Sequence, residues 1–194
     1  LLGGDMMMPE QLEKYRDLVT LADGVRVLLR PMTAADHHLL TELFMSINDD
    51  DLKYFRHNVK DPIILKEWVQ NLDYSKVIPI IALVKERPVG NATLHFGDGP
   101  RRHIGEVRIY LARDFRKRGL GMKILRTIIE FGRKQGLQIL NAEVIAENVK
   151  LIKAFEMMGF KKQCTLENYF MFPDGECSDV KLMIMPLSEK NEEF

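Results

Sequence analysis

The sequence predicts a mixed α/β fold: a mostly antiparallel central sheet of about seven strands, flanked by helices. Three observations carry this. Strand-length apolar runs recur between turn signals such as Asp23-Gly24, Gly97-Asp-Gly-Pro100 and Pro173-Asp-Gly175. One long stretch instead spaces its apolar residues for a single helix face, with Leu120, Ile124, Leu125, Ile128, Ile129 and Phe131. The order is strand, helices, antiparallel strands, then strand–helix–strand–helix–strand–strand, with no internal repeat and no low-complexity linker.

Pro9 to Thr20 reads as a short helix with Leu12, Tyr15, Leu18 and Val19 on one side. After the Asp23-Gly24 turn, Val25 to Arg30 is a strand closed by Pro31. Thr33 is placed to cap a helix carrying Leu39, Leu40, Leu43, Phe44 and Ile47, with Asp36 as its capping-box partner. The acidic run Asn48 to Asp51 is expected to end that helix, and Leu52 to Arg56 to begin another short segment. Asp61-Pro62 is a strong start signal for a helix with Ile64, Leu65, Trp68, Val69 and Leu72.

Val77 to Val84 and Val89 to Phe96 form an expected hairpin about Glu86-Arg-Pro88. Ile104 to Leu111 is the next strand, alternating Ile104, Val107, Ile109 and Leu111 with Glu106, Arg108 and Tyr110. The long helix follows and stops before Gly136, a residue suited to a left-handed terminus. Leu137 to Ala146 is a strand, and Asn148 opens a helix with Leu151, Ile152, Phe155 and Met158 that stops at Gly159. Phe160 to Phe172 and Asp179 to Leu187 complete the sheet.

These elements make one domain over residues 25–187, with an N-terminal extension 1–24 and a C-terminal tail 188–194. Lys plus Arg and Asp plus Glu are both 28, so the net charge is zero and nucleic acid is not the expected partner. No apolar run approaches the roughly 20 residues of a membrane span, so no membrane partner is expected. Residues 1–8 lack the charged and apolar regions of a signal peptide, and Cys164 and Cys177 read as free thiols, which together point to the cytoplasm. His37-His38 has no nearby second ligand pair, so no metal is expected. Asp49 to Asp51 reads as a solvated helix end, with attraction of a cationic protein as the alternative. A homodimer stays open.

The chemistry concentrates after Tyr110. Strand residues run into Arg116-Lys-Arg-Gly119-Leu-Gly121, and that basic glycine loop opens the long helix. First-turn N–H groups and the positive end of the helix dipole point the same way there, which favours phosphate. The Walker pattern Gly-x-x-x-x-Gly-Lys-Ser/Thr is absent, and the Rossmann pattern fails because Ile124 stands where a third glycine is needed.

The loop fits Arg/Gln-x-x-Gly-x-Gly/Ala, the preceding strand ends five residues before Arg116, and Asn148 opens a helix that closes with Gly159-Phe160. Over residues 25–187 this set resembles the GNAT superfamily of acetyl-CoA-dependent N-acetyltransferases. The run from Leu43 to Arg56 and the Glu106-Val107 pair are similar to the Pat-type bacterial protein lysine acetyltransferases.

The resemblance implies the acyl-CoA N-acyltransferase fold, acetyl-CoA as donor, and a primary amine as acceptor, either a protein lysine or a small molecule. It implies that the backbone from Arg116 through Lys117, Arg118, Gly119, Leu120 and Gly121 to Met122 wraps the pyrophosphate, with Arg113 beside it. Leu111 would present its N–H to the thioester oxygen, and the strand ending there would splay from its neighbour. Asn148 would contact the cofactor, unless it is only a helix cap.

An amine attacks only when unprotonated, so a base must take its proton. The resemblance points to Glu106, with Glu143 in reserve; the alternative for Glu106 is a surface glutamate facing Arg108. Many relatives carry a Tyr four residues before Gly159, where its hydroxyl protonates the leaving thiolate, but this chain has Phe155 lining the site instead. That substitution motivates one other function, a non-catalytic acyl-CoA sensor.

Overall fold

The computed structural model describes residues 6–187; the expected tail 188–194 and the first five residues lie outside them. Eight strands form one sheet in the order β1-β2-β3-β4-β5-β6-β8-β7. They are β1 (Asp17–Thr20), β2 (Arg26–Pro31), β3 (Val77–Val84), β4 (Arg87–Phe96), β5 (Ile104–Leu111), β6 (Ile139–Ile145), β7 (Lys161–Met171) and β8 (Cys177–Pro186). Every pairing is antiparallel except β5 with β6.

Six helices cover the faces: α1 (Pro9–Lys14), α2 (His37–Met45), α3 (Asp49–Leu52), α4 (Pro62–Gln70), α5 (Leu120–Lys134) and α6 (Val149–Met157). Alternation along β5 splits its side chains between two cores. Val107, Ile109 and Leu111 pack with α5 and α6, where Leu120, Ile124, Ile128, Phe131 and Phe155 are buried. Tyr110 packs on the other face with Leu40, Phe44, Leu65 and Val69 of α2 and α4.

Two expectations change. The helix expected over Pro9–Thr20 stops at Lys14, and Asp17–Thr20 is a strand paired with Arg26–Leu29 across the Asp23-Gly24 turn. This is the eighth strand, and it lies within the segment set aside as an extension. The acidic run does not end a helix but begins one: the Asn48 side chain accepts from the Asp51 N–H, and three carboxylates occupy the positive first turn of α3.

Other local signals act as their chemistry suggests. Asp61 accepts from the Ile63 N–H with Pro62 at the first position of α4. Asp36 accepts a hydrogen bond from the Thr33 N–H at 2.7 Å and takes a two-pronged contact from Arg30 at 2.6 and 2.7 Å. That near-buried cluster fixes the start of α2 against the sheet. Cys164 and Cys177 are exposed and face Leu182 and Met171 respectively, well separated along the β7–β8 hairpin.

Candidate active site between two parting strands

β5 and β6 stay together over only three register pairs, Ile104–Ile139, Gly105–Leu140 and Glu106–Asn141, and then part. Gly105 permits the close start: a Cβ there would meet Leu137 and Leu94 side-chain carbons at 2.6 and 2.7 Å. On the far side of β5, the Ala112 N–H donates to the Val89 carbonyl at 3.0 Å, which makes Ala112–Val89 a hydrogen-bonded pair. Antiparallel pairs alternate, so Leu111, opposite Gly90, turns its N–H and C=O away from β4 and into the gap. The same holds for Ile109, whereas the Val107 N–H still serves the Glu106–Asn141 pairing with β6. A cavity of about 1440 Å³ occupies this gap and extends to α4 on one side and α6 on the other. That is more room than one drug-sized ligand requires.

At one end of the cavity lies the basic loop. Arg113–Phe115 make a single helical turn, Lys117 takes φ 61°, and Gly119 takes φ 83° as the residue before α5. These left-handed residues swing the chain so that the first N–H groups of α5, on Leu120, Gly121 and Met122, lack helical acceptors. Gly119, Gly121, Met122 and Lys117 line the cavity. Leu120 does not: the whole residue is fully buried in the core, apart from the cavity lining.

The loop arginines are more committed than their positions suggest. Arg116 donates to the Leu111 carbonyl at 3.0 Å and to Asp51 of α3 at 2.7 Å, and Arg113 reaches Asp51 at 3.1 Å. Burial alone would raise the Asp51 carboxyl, but hydrogen bonds and charge from these two arginines outweigh it and hold it below the usual range. The acidic run therefore anchors the loop. Arg118 turns outward to Asp23 at 2.6 Å and stacks on Phe115. Lys117 carries no carboxylate partner among the described residues, and Lys150, at the start of α6, also lines the cavity.

The face shared by Glu106, Arg108 and Tyr110 carries the other polar group of the site. Glu106 accepts from Arg108 at 2.9 and 3.1 Å, so the expected Arg108 contact is present. A second cation, Arg56 from the segment after α3, places one nitrogen 2.8 Å from Glu106 and 2.6 Å from Glu143 of β6. Burial pushes the Glu106 carboxyl up, but Arg108, Arg56 and His95 together bring it below the ordinary glutamate value. His95, opposite Glu106 on β4, is lowered to about 4 by burial and then by Arg108, so it is neutral at pH 7. Glu143, Arg56, Arg108 and His95 line the cavity, with Glu106 behind them.

Asn148 caps α6, accepting from the Leu151 N–H at 3.2 Å, and also lines the cavity, so both expected roles remain compatible. Phe155 is 1% exposed, sets its ring edge-on to Phe160 at 4.9 Å, and forms part of the cavity wall. The structure thus brings together Glu106, Leu111, Arg113, Arg116, Lys117, Gly119, Gly121, Met122, Asn148 and Phe155, and turns Arg118 away. Sequence reasoning missed Arg56, His95 and Lys150 as site residues. For His95 the signal was available: it occupies the position of the β4 strand that alternation puts on the Glu106 face.

The sequence profile described as the Acetyltransferase (GNAT) family matches residues 40–160, more than half of the chain. The chain belongs to this acetyltransferase family. Within it, the GNAT chain is 33% identical over 75 residues to a [ribosomal protein bS18]-alanine N-acetyltransferase of Escherichia coli (strain K12), covering 39% of this chain and 50% of that protein. The chain thus spans about half the length of the curated relatives it matches. Among solved structures, the ribosomal-protein-S5-alanine acetyltransferase of Vibrio fischeri superposes with TM-score 0.75 at 19% identity, over 84% of this GNAT chain and 94% of the other. The GNAT domain of S. lividans PAT gives 0.72 at 20%, over 88% and 96%. A Salmonella typhimurium protein solved with its cofactor acetyl-CoA gives 0.72 at 18%, over 85% and 96%. These likenesses establish the mostly antiparallel fold with its helical layers.

Proposed function

We propose that this chain moves the acetyl group of acetyl-CoA directly to a primary amine. The observation that carries the reading is the parted edge of β5, which aims the Leu111 N–H into a cavity ending at a glycine-bearing helix start. An acyl-CoA donor supplies an activated thioester. The Ile109 backbone and the Leu111 N–H, which no neighbouring strand pairs, suit an amide-bearing arm, and the N–H groups around Gly119 to Met122 suit a pyrophosphate. The Leu111 N–H is the donor for negative charge developing on the thioester oxygen. Lys117 and Lys150 supply free charge at the phosphate end; Asn148 and Phe155 form the opposite wall.

The proton of the acceptor ammonium goes to the carboxylate pair Glu106 and Glu143, of which Glu143 faces the cavity. Glu106, gripped on both oxygens by Arg108, holds the charge of the site behind it. The acceptor is a protein lysine, a protein N-terminal amine like that named for the ribosomal-protein relatives, or a small amine. A panel of these three classes, scored by thiol release from acetyl-CoA, separates them. With a working acceptor, E143Q and E106Q should each lower kcat, E143Q on the order of 10²-fold or more, with acetyl-CoA affinity by calorimetry unchanged. Full activity in both variants would remove the carboxylates from the mechanism. Because Phe155 has no proton to give, the leaving thiolate takes one from solvent; binding of acetyl-CoA with no thiol release on any amine would instead favour a sensor.

A further inference from the structure

The guanidinium of Arg56 sits between the two carboxylates proposed above to take the acceptor's proton. One of its nitrogens bridges Glu106 and Glu143, which stand on the two strands that part. The segment bearing it is pinned from both sides: Phe55 packs on Tyr110 at 5.2 Å and Tyr54 on Phe172 at 5.8 Å. Arg56 itself is held through one nitrogen, which donates to Glu143 at 2.6 Å, and its side chain is 38% exposed. Partly exposed pairs of this kind are weak and exchangeable.

We propose that Arg56 is a displaceable counter-ion that keeps the Glu106–Glu143 pair occupied until a cationic amine takes its place. The inference rests on the acetyl-transfer reading above. Two carboxylates here face two guanidiniums, Arg56 and Arg108, with His95 neutral, so the group is balanced. An ammonium exchanging for Arg56 preserves that balance, whereas a neutral alcohol leaves a carboxylate unpaired. Once seated, the ammonium passes a proton to Glu143, and the remaining charges, Glu106 and Arg108, are still paired. The freed amine then forms its bond to the acetyl carbon as the carbon–sulfur bond breaks; the nitrogen gives its second proton to solvent and the thiolate takes one from solvent. Until then Arg56 also denies Glu143 to water. Without Arg56, Glu143 can take a proton from water as oxygen bonds to the acetyl carbon, releasing acetate and CoA thiol.

The test is acceptor-free hydrolysis of acetyl-CoA, followed by thiol release, in wild type, R56Q and R56Q/E143Q, with acetyl-CoA binding measured by calorimetry. Loss of a pair this exposed should raise hydrolysis about threefold to tenfold in R56Q. The double variant should return to the wild-type rate. The apparent affinity for n-butylammonium should rise in R56Q by a similar factor, with no effect of n-butanol. Wild type gives a reading that needs no Arg56 variant. About 1 M salt, where the Debye length falls to about 3 Å, should weaken this partly exposed pair in part and raise wild-type hydrolysis modestly, but not that of E143Q. Hydrolysis in R56Q at or below the wild-type rate with normal acetyl-CoA binding overturns the inference, as does an excess that survives E143Q. Failure of wild type to bind acetyl-CoA overturns the transfer reading and this inference with it.

Discussion

Gly119→Ala and Gly121→Ala separate what the loop needs for folding from what it needs for its ligand. A Cβ on Gly121 would find Leu111 Cδ1 at 3.4 Å, an ordinary contact, and nothing closer. Alanine also forms helix better than glycine, so G121A should gain roughly 0.5 kcal/mol, part of the interior value because the position lies in the first turn. Gly119 has open space around it but a φ of 83°. Alanine there takes on the left-handed cost of about 1–2 kcal/mol. With an m-value of about 2 kcal/mol/M, urea midpoints should move up by about 0.25 M in G121A and down by about 0.5–1 M in G119A. Acetyl-CoA binding by calorimetry should weaken in both, by about tenfold or 1.4 kcal/mol in G121A, whose methyl enters the cavity. Destabilisation of G121A would show that glycine serves packing there; unchanged affinity would put the phosphates elsewhere.

Asp36→Asn should cost about 3 kcal/mol in urea unfolding, because it strands Arg30 in a contact where the two side chains are only 13% and 6% exposed. Burial pushes the Asp36 carboxyl up, but Arg30 and Thr33 bring it below its usual 3.8, so its contribution is full above that value and is lost as pH falls further. D36N should therefore flatten the acid limb of the stability profile, and an unchanged limb would refute the assignment. Gly105→Ala should cost about 1–3 kcal/mol by overpacking Leu94 and Leu137, and should weaken acetyl-CoA by altering where β5 and β6 part. Lys117→Ala should weaken acetyl-CoA several-fold in calorimetry while R118A leaves its affinity nearly unchanged, since only Lys117 faces the cavity.

Most of the fold could be read because local and tertiary signals agree. Asp61-Pro62 and Gly136 punctuate their helices, and the alternation in Val107–Leu111 assigns its two faces correctly, although Ile104 falls on the Tyr110 side rather than with Val107. Strand β1 could not be read. Leu12, Tyr15, Leu18 and Val19 satisfy helical spacing, and only pairing with β2 makes Asp17–Thr20 extended. The loop proposed for the phosphates could be singled out because glycine and helix-start chemistry are contiguous. At the proposed proton-handling end Glu106 and Glu143 could be named, but Arg56 could not, since it lies 87 positions from Glu143 and meets it only through the fold. The Asp51 anchor failed for the same reason: a run of carboxylates reads as solvated until Arg113 and Arg116 are brought to it.

The three-pair junction of β5 and β6 leaves an unfinished sheet edge inside the molecule rather than at its rim. Exposed edges invite other chains to pair with them. This one is enclosed between the helical layers and admits only something narrow that carries its own amides. A bound acyl-CoA arm would act as a short surrogate strand, stapling the five-strand and three-strand halves together. Ligand at about 100 times its Kd should then add about 2.7 kcal/mol to unfolding, and amide exchange should slow first at Ile109 and Leu111.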